Sequence, residues 1–267
     1  MKKLYFLIFL VIFMLIVGFS FFQQRDFSKI IIKTEKVAGS VYMLQGSGGN
    51  IGVSFGEDGV VMIDDQFAPL SDKIKAAIQE LGGSHPRFIL NTHHHGDHVG
   101  GNANFSKEGT LIAHTNVRNR LMDESKEAWP VITFDESLAI HMNGEEIRAI
   151  HYPNGHTDGD AVIYFTGSNV VHMGDHFFVG RFPYIDLDGG GDVAGFVRNV
   201  EKIMQDLPPD IKIIPGHGSL ATLDDLKTFH NMLLETTGYI RAQIGAGKSS
   251  DDIKSAGLPE KWNSWGT

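Results

Sequence analysis

Hydrophobic and polar positions along this chain alternate in two periods, and the switches between them outline the elements. Val41-Tyr-Met-Leu, Asn50-Ile-Gly-Val-Ser-Phe and Val60-Val-Met-Ile-Asp are short apolar runs bounded by polar turns, the pattern of strands. Glu57-Asp58-Gly59 reads as a hairpin turn between the last two, so the folded part starts antiparallel. A helix is expected over residues 71–81, with Ser71 as its N-cap and Gly82-Gly83 as its stop. Residues 87–90 form a short strand, residues 111–113 another, and residues 116–127 a polar helix. Strands and turns then alternate over residues 138–175, with Asn143-Gly144 as one turn. Residues 192–207 read as a helix, 211–214 as a strand leading into Pro215-Gly-His-Gly, and 223–243 as a closing helix. Two sheet-and-helix halves in succession imply an α+β fold, a four-layer αββα sandwich with helices outside two packed sheets.

The amino terminus stands apart from this pattern. Met1-Lys2-Lys3 is basic, and residues 4–22 are an almost unbroken apolar run, apolar on every helical face. Residues 1–26 therefore read as a signal peptide or a membrane anchor, and residues 30–267 as the catalytic domain. Either reading places that domain outside the cytosol, in the periplasm or an equivalent space, with the membrane as a partner only if the segment stays uncleaved.

Composition is that of a globular enzyme, 42% hydrophobic and 21% charged. With no cysteine, the chain has neither disulfides nor thiolate metal ligands. A formal charge of −9 without a Lys/Arg cluster disfavours nucleic acid as a partner and leaves a small molecule as the expected one.

The chemistry concentrates in Asn91-Thr-His-His-His-Gly-Asp-His98, which contains the pattern His93-x-His95-x-Asp97-His98. Imidazole and carboxylate are zinc-binding side chains, and two histidines spaced by two on an extended loop can present both rings to one ion. Three more donors follow on loops after apolar stretches: His156 in Asn-Gly-His-Thr-Asp-Gly-Asp, Asp175 in His-Met-Gly-Asp-His, and His217 in Pro-Gly-His-Gly.

In this pattern and its order the chain resembles the metallo-beta-lactamase superfamily over roughly residues 37–230. The resemblance implies the same αββα sandwich. It further implies a first metal on His93, His95 and His156, a second on Asp97, His98 and His217, and Asp175 between them. The implied cofactors are two divalent ions, zinc by default, with iron or manganese compatible with oxygen and nitrogen donors. The implied activity is hydrolysis of an amide, ester, lactone or thioester carbonyl by metal-bound hydroxide, with Asp97 orienting the nucleophile and passing on a proton. One departure narrows the choice. Asp175 stands where the most familiar zinc beta-lactamases carry a thiolate, as in glyoxalase II-like and lactonase-like members.

Beta-lactamase activity is the principal alternative; a metal-dependent nuclease and a non-catalytic metal-binding accessory protein are the others. Charge argues against the nuclease, and an intact ligand set against the accessory protein.

Around the ligands, Asp64 is expected to accept a hydrogen bond from a ligating imidazole, with Asp65 as the other choice and a turn aspartate as the plain reading. His172 and His176 flank Asp175 and could orient a ligand in the same way. Thr157 and Asp160 either brace His156 or form an Asx turn. His94 is expected to turn its ring away, and His114 to be structural. Residues 177–192 combine aromatics and glycines as a pocket wall in which Arg181 could meet a substrate carboxylate. Trp129 and Phe134 either face that cleft or pack beneath it.

Overall fold

In the computed structural model, which describes residues 26–266, the apolar runs pair into two sheets. The first takes β1 (Lys33–Ala38), β2 (Val41–Gln45), β3 (Ile51–Gly56), β4 (Gly59–Ile63), β5 (Pro86–Leu90), β6 (Thr110–His114) and β7 (Ile132–Phe134) in chain order. The second takes β8 (Ser137–Met142), β9 (Glu145–His151), β10 (Ala161–Phe165), β11 (Val170–His172) and β12 (Lys212–Ile214), again with sequential neighbours. The helices are α1 (Ser71–Glu80), α2 (Gly96–Val99), α3 (Asn102–Phe105), α4 (Thr115–Arg120), α5 (Val193–Asp206), α6 (Leu223–Gly245) and α7 (Ser250–Ala256). The basic start and apolar run at residues 1–22 lie outside the described residues. Among those described, no helix is long and apolar enough to cross a membrane.

The period-two pattern decides which side chains enter which layer. Val61 and Ile63 of β4, Leu90 of β5 and Ile112 of β6 face Ile147 and Ala149 of β9 and Ile163 and Phe165 of β10 in the core between the sheets. The alternate positions Val162, Val171 and Ile213 point the other way, onto Phe196, Val200 and Ile203 of α5 and Leu226, Phe229 and Met232 of α6. Burying each of these large side chains contributes about 1.5–3 kcal/mol. The result is the four-layer αββα sandwich that the element order implied.

Hydrogen-bond direction changes within the first sheet. β1 to β4 pair antiparallel, as the hairpin turn required, whereas β4 to β7 run parallel. β11 and β12 are also parallel. Loops leaving β4, β5, β11 and β12 at their carboxyl ends carry Asp64, the residues from Asn91 to His98, Asp175 and His217, the usual location of function on parallel strands.

Several expected boundaries move for identifiable reasons. Ser71 is not an N-cap: Pro69 opens a 3-10 turn at Ala68–Leu70, so Ser71 is already helical (φ −53°, ψ −44°), and its hydroxyl accepts from Asn104 Nδ2 at 3.1 Å. The polar helix over 116–127 is only α4 followed by 3-10 turns at Leu121–Asp123 and Lys126–Ala128. The cap of α4 is the His114 ring, which accepts from Asn116 N at 3.2 Å. β1 escapes the pattern because it is an exposed, charged edge strand, Lys-Thr-Glu-Lys-Val-Ala. α7, opened by a Ser249/Asp252 capping box, was also missed. Trp129 and Phe134 are packing residues: Trp129 lies against Val99, Val117 and Leu121, and Phe134 is in the inter-sheet core.

Candidate metal centre

β5 hands the chain to Thr92 and His93, and α2 turns at once to bring Asp97 and His98 back toward the sheet edge. The loop between β9 and β10 brings His156, the 3-10 turn Gly174–His176 brings Asp175, and the Pro215-Gly-His-Gly loop brings His217. All seven converge in two groups. Donor atoms of His93, His95, His156 and Asp175 lie within 4.8 Å of one another, as do those of Asp97, His98 and His217.

Hydrogen bonds on the far side of each ring fix which nitrogen faces inward. The Thr92 hydroxyl donates to Asp64 Oδ2 at 2.8 Å, so at 3.0 Å it must accept the Nδ1–H of His93. His156 donates Nδ1–H to Tyr184 O at 2.8 Å, and His95 donates Nε2–H to Asp186 Oδ2 at 2.9 Å. The inward atoms are therefore the lone pairs of His93 Nε2, His95 Nδ1 and His156 Nε2. His95 Nδ1 stands 3.1 Å from the first and 2.8 Å from the third. Lone pairs at that range repel each other unless a cation lies among them. Zinc–nitrogen bonds of about 2.0–2.1 Å in a tetrahedron would space such atoms about 3.3 Å apart, close to what the protein provides.

Asp175 faces both groups with different oxygens. Its Oδ2 is 3.4 Å from His156 Nε2 and 3.8 Å from His93 Nε2. Its Oδ1 is 3.1 Å from His98 Nε2 and 3.4 Å from His217 Nε2. Asp97 Oδ2 is 3.4 Å from His217 Nε2 and 3.8 Å from His98 Nε2. His98 donates Nδ1–H to Asp64 Oδ2 at 2.7 Å, which leaves Nε2 as the nitrogen that faces inward. His98 Nε2 and Asp175 Oδ1 are both buried with no hydrogen-bond partner among the described residues. Orphaned buried polar atoms are costly, and a coordinated cation would satisfy them. The donor set thus fits two divalent ions sharing one carboxylate. Glycine makes the space: a Cβ at Gly49 would collide with the His98 ring, and one at Gly216 with Asp175 Oδ1.

Burial, together with the neighbouring His98, keeps His93 neutral by lowering its pKa well below the imidazole range; burial lowers His156 to about 4. For Asp175, burial would raise the pKa, but the cationic form of His98 beside it holds it well below the carboxylate range. His98 goes the other way: despite burial, the carboxylates of Asp175 and Asp64 push it up. That is a demand for positive charge at the same place.

Asp64 is the carboxylate behind His98, and it also accepts from Thr92 N at 2.7 Å. Its backbone is left-handed (φ +62°), a conformation aspartate tolerates better than most residues. Asp65 instead accepts from Gly101 N at 2.8 Å. Among the described residues, neither the His172 ring nor the His176 ring is hydrogen-bonded to any of the seven; His172 instead accepts from Gly174 N at 3.2 Å, in the turn that carries Asp175. β11 and its following turn send the two rings to the back: His172 donates Nε2–H to Asn50 O at 3.0 Å, and His176 stacks on Phe196. Asp160 is buried and reaches back to accept from Thr157 N and Oγ1, which braces the residue after His156 and is not an Asx turn, and burial pushes its pKa up to about 8. His94 is half-buried, its Nε2 3.7 Å from Asp186 Oδ2. His114 stacks on His151 away from the centre.

Beside His217 lies a cavity of about 290 Å³ lined by Phe178, Arg181, Phe182, Pro183 and Tyr184. Arg181 is exposed at its rim. Two residues that shape the site were missed from the sequence, Thr92 and Asp186. The signals were a hydroxyl next to the first histidine and a lone acid between the aromatics and glycines of the pocket wall.

A family profile described as the metallo-beta-lactamase superfamily matches residues 41–217. The chain is 26% identical to an uncharacterized protein of Aquifex aeolicus over 53% of this chain and 72% of that one. It is 23% identical to a metallo-beta-lactamase type 2 of Bacteroides fragilis over 56% of this chain and 61% of that one. With a hydroxyacylglutathione hydrolase of Pelagibacter ubique it shares 31% identity over 50% of this chain and 52% of the relative. The matches thus span between about half and three quarters of these relatives' lengths. Among solved structures, a metallo-beta-lactamase from Pontibacter korlensis superposes with a TM-score of 0.67 at 16% identity, covering 76% of this chain and 98% of the other. DIM-1 metallo-beta-lactamase does so with a TM-score of 0.66 at 17% identity, covering 77% and 98%.

Proposed function

Because the chain belongs to the metallo-beta-lactamase superfamily, we propose that it is an exported dinuclear zinc hydrolase acting on an ester, lactone, thioester or amide carbonyl. One observation carries this reading. The lone pairs of His93, His95 and His156 converge beside one oxygen of Asp175, while its other oxygen faces His98 and His217. Two bound divalent ions would supply an acidified water and an electrophile for the carbonyl oxygen.

The protein's own groups set the rest. His93, His95, His156 and Asp175 would hold one ion, and Asp97, His98, His217 and the second oxygen of Asp175 the other. Asp97 is only half-buried, with Oδ2 turned into the site, so it can take a proton from the nucleophile and release it to the leaving group or to solvent. Phe178, Phe182 and Tyr184 offer apolar surface to an acyl or ring portion, and Arg181 offers a cation to a carboxylate at the rim. Oxygen and nitrogen donors alone support zinc while admitting iron or manganese. The basic start and apolar run at residues 1–22 support export.

A beta-lactamase is the second reading, favoured by the similarity to the Bacteroides fragilis metallo-beta-lactamase. Asp175, in the place of a thiolate, weighs toward the first. Zinc-loaded protein assayed against a chromogenic cephalosporin, an acyl lactone and a thioester separates them. Turnover of the lactone or thioester supports the proposal, turnover of the cephalosporin alone supports the second reading, and none with any of the three rejects hydrolysis as proposed.

A further inference from the structure

Of the three histidines in the first group, His95 is the least enclosed. Its side chain is 21% exposed, whereas those of His93 and His156 are 1% exposed. The buried rings are locked by Thr92 and by the Tyr184 carbonyl. His95 has one polar contact on its outer side, the carboxylate of Asp186 at 2.9 Å from Nε2. That carboxylate is itself held in place. Asp186 Oδ1 accepts from Gly189 N at 2.8 Å, and Asp186 N donates to His156 O at 2.9 Å. Gly189 O accepts from Asp158 N at 2.9 Å, and the Asp158 carboxylate accepts from Arg120 Nε at 2.8 Å and Nη2 at 2.7 Å.

We propose that Asp186 is a positioning residue that holds the His95 ring with Nδ1 toward His93 and His156, and thereby sets the affinity of the first cation. An imidazole in water rotates about its Cβ–Cγ bond and samples both nitrogens. An anionic acceptor on the Nε2 side removes that freedom, keeps the proton on Nε2 and strengthens Nδ1 as a donor. The inference rests on the two-metal reading above and extends it to the pocket wall, since Asp186 sits two residues after Tyr184.

The test is zinc titration of the full chain against a competing chromophoric chelator, for the wild type, Asp186→Ala, Asp186→Asn and Arg120→Ala. The expected result is two equivalents in the wild type, with one weakened about 10–100-fold in Asp186→Ala and the other unchanged. Asp186→Asn, whose amide oxygen still accepts from Nε2–H, recovers most of that loss. Arg120→Ala, which loosens the loop that holds the carboxylate but leaves the carboxylate present, gives a smaller loss at the same equivalent. In the zinc-loaded wild type, the His95 Nε2–H should give a slowly exchanging downfield proton resonance that Asp186→Ala alone abolishes. The inference is overturned if Asp186→Ala retains both affinities, if Arg120→Ala weakens the other equivalent instead, or if the wild type binds a third equivalent that Asp186→Ala abolishes, which would make Asp186 a ligand. A wild type that binds no zinc defeats the underlying two-metal reading instead.

Discussion

Asp64 Oδ2 accepts the Nδ1–H of His98 at 2.7 Å, with both side chains wholly buried. The same oxygen accepts the Thr92 hydroxyl, and Oδ1 accepts Thr92 N, so one carboxylate orients a residue of each metal group. Asp64→Asn keeps a residue that tolerates the left-handed backbone but removes the charge. Zinc affinity at one of the two sites should fall about 10–100-fold, with the fold retained by circular dichroism. Unchanged affinity would show that His98 needs no anionic partner.

Gly216 lets the backbone pass directly against Asp175. Gly216→Ala forces a methyl into Asp175 Oδ1 and the Gly174 carbonyl, the carboxylate shared by both groups. Binding of both equivalents should weaken together, read by metal analysis after dialysis. Gly238→Ala, at a helical position where a Cβ meets nothing within 4 Å, should leave metal content unchanged.

Arg181 is exposed, so its pairing with a substrate carboxylate is worth about 0.2–1 kcal/mol. Arg181→Ala should raise KM a few-fold for a carboxylate-bearing substrate, leave kcat nearly unchanged, and have no effect on an uncharged analogue. An equal effect on both substrates would remove Arg181 from recognition.

His114 and His151 stack with ring centroids 3.7 Å apart, and both nitrogens of His114 are already engaged. His114 donates Nε2–H to Asp135 O and accepts from Asn116 N at Nδ1, while His151 faces Asp160 O through Nδ1. Burial lowers the pKa of both; for His114 the His151 ring adds to this, and the contacts with Asp135 and the nearby Asp158 only partly oppose it. A folded pKa below the unfolded value of about 6.5 means that the unfolded chain takes up the protons first. Stability from this pair is therefore fully present above about pH 6.5 and is lost as pH falls below it. Thermal unfolding of the chelated protein at pH 7.5 and 5.5 should show this, and His114→Asn, which can still cap α4, should flatten the slope. An unchanged slope would contradict the assignment.

Much of the architecture was legible because the inner sheet faces are nearly pure apolar alternation, as in Val61 and Ile63 against Ile163 and Phe165. β1 was not, since an edge strand that buries little leaves no alternation to read. Ser71 misled because local capping chemistry was overruled by the preceding proline turn. The seven site residues stood out through residue type and order, and the fold brings them into two groups. Their supporting residues were harder to read. Thr92 acts through one hydroxyl proton, Asp186 reaches His95 across 91 positions of sequence, and the direction in which His172 and His176 point depends on a turn whose path the sequence does not display.

On the proposed function, these seven residues hold two cations that the reaction requires. The most direct measurement is metal content of the purified protein, paired with activity on a responsive carbonyl substrate before and after chelation and after zinc is restored. The expected result is about two equivalents in the wild type, activity lost on chelation and regained with zinc, and at most one tightly held equivalent in Asp175→Ala. A chelated, metal-free protein that retains full activity, or an Asp175→Ala protein that still holds both ions, would contradict it.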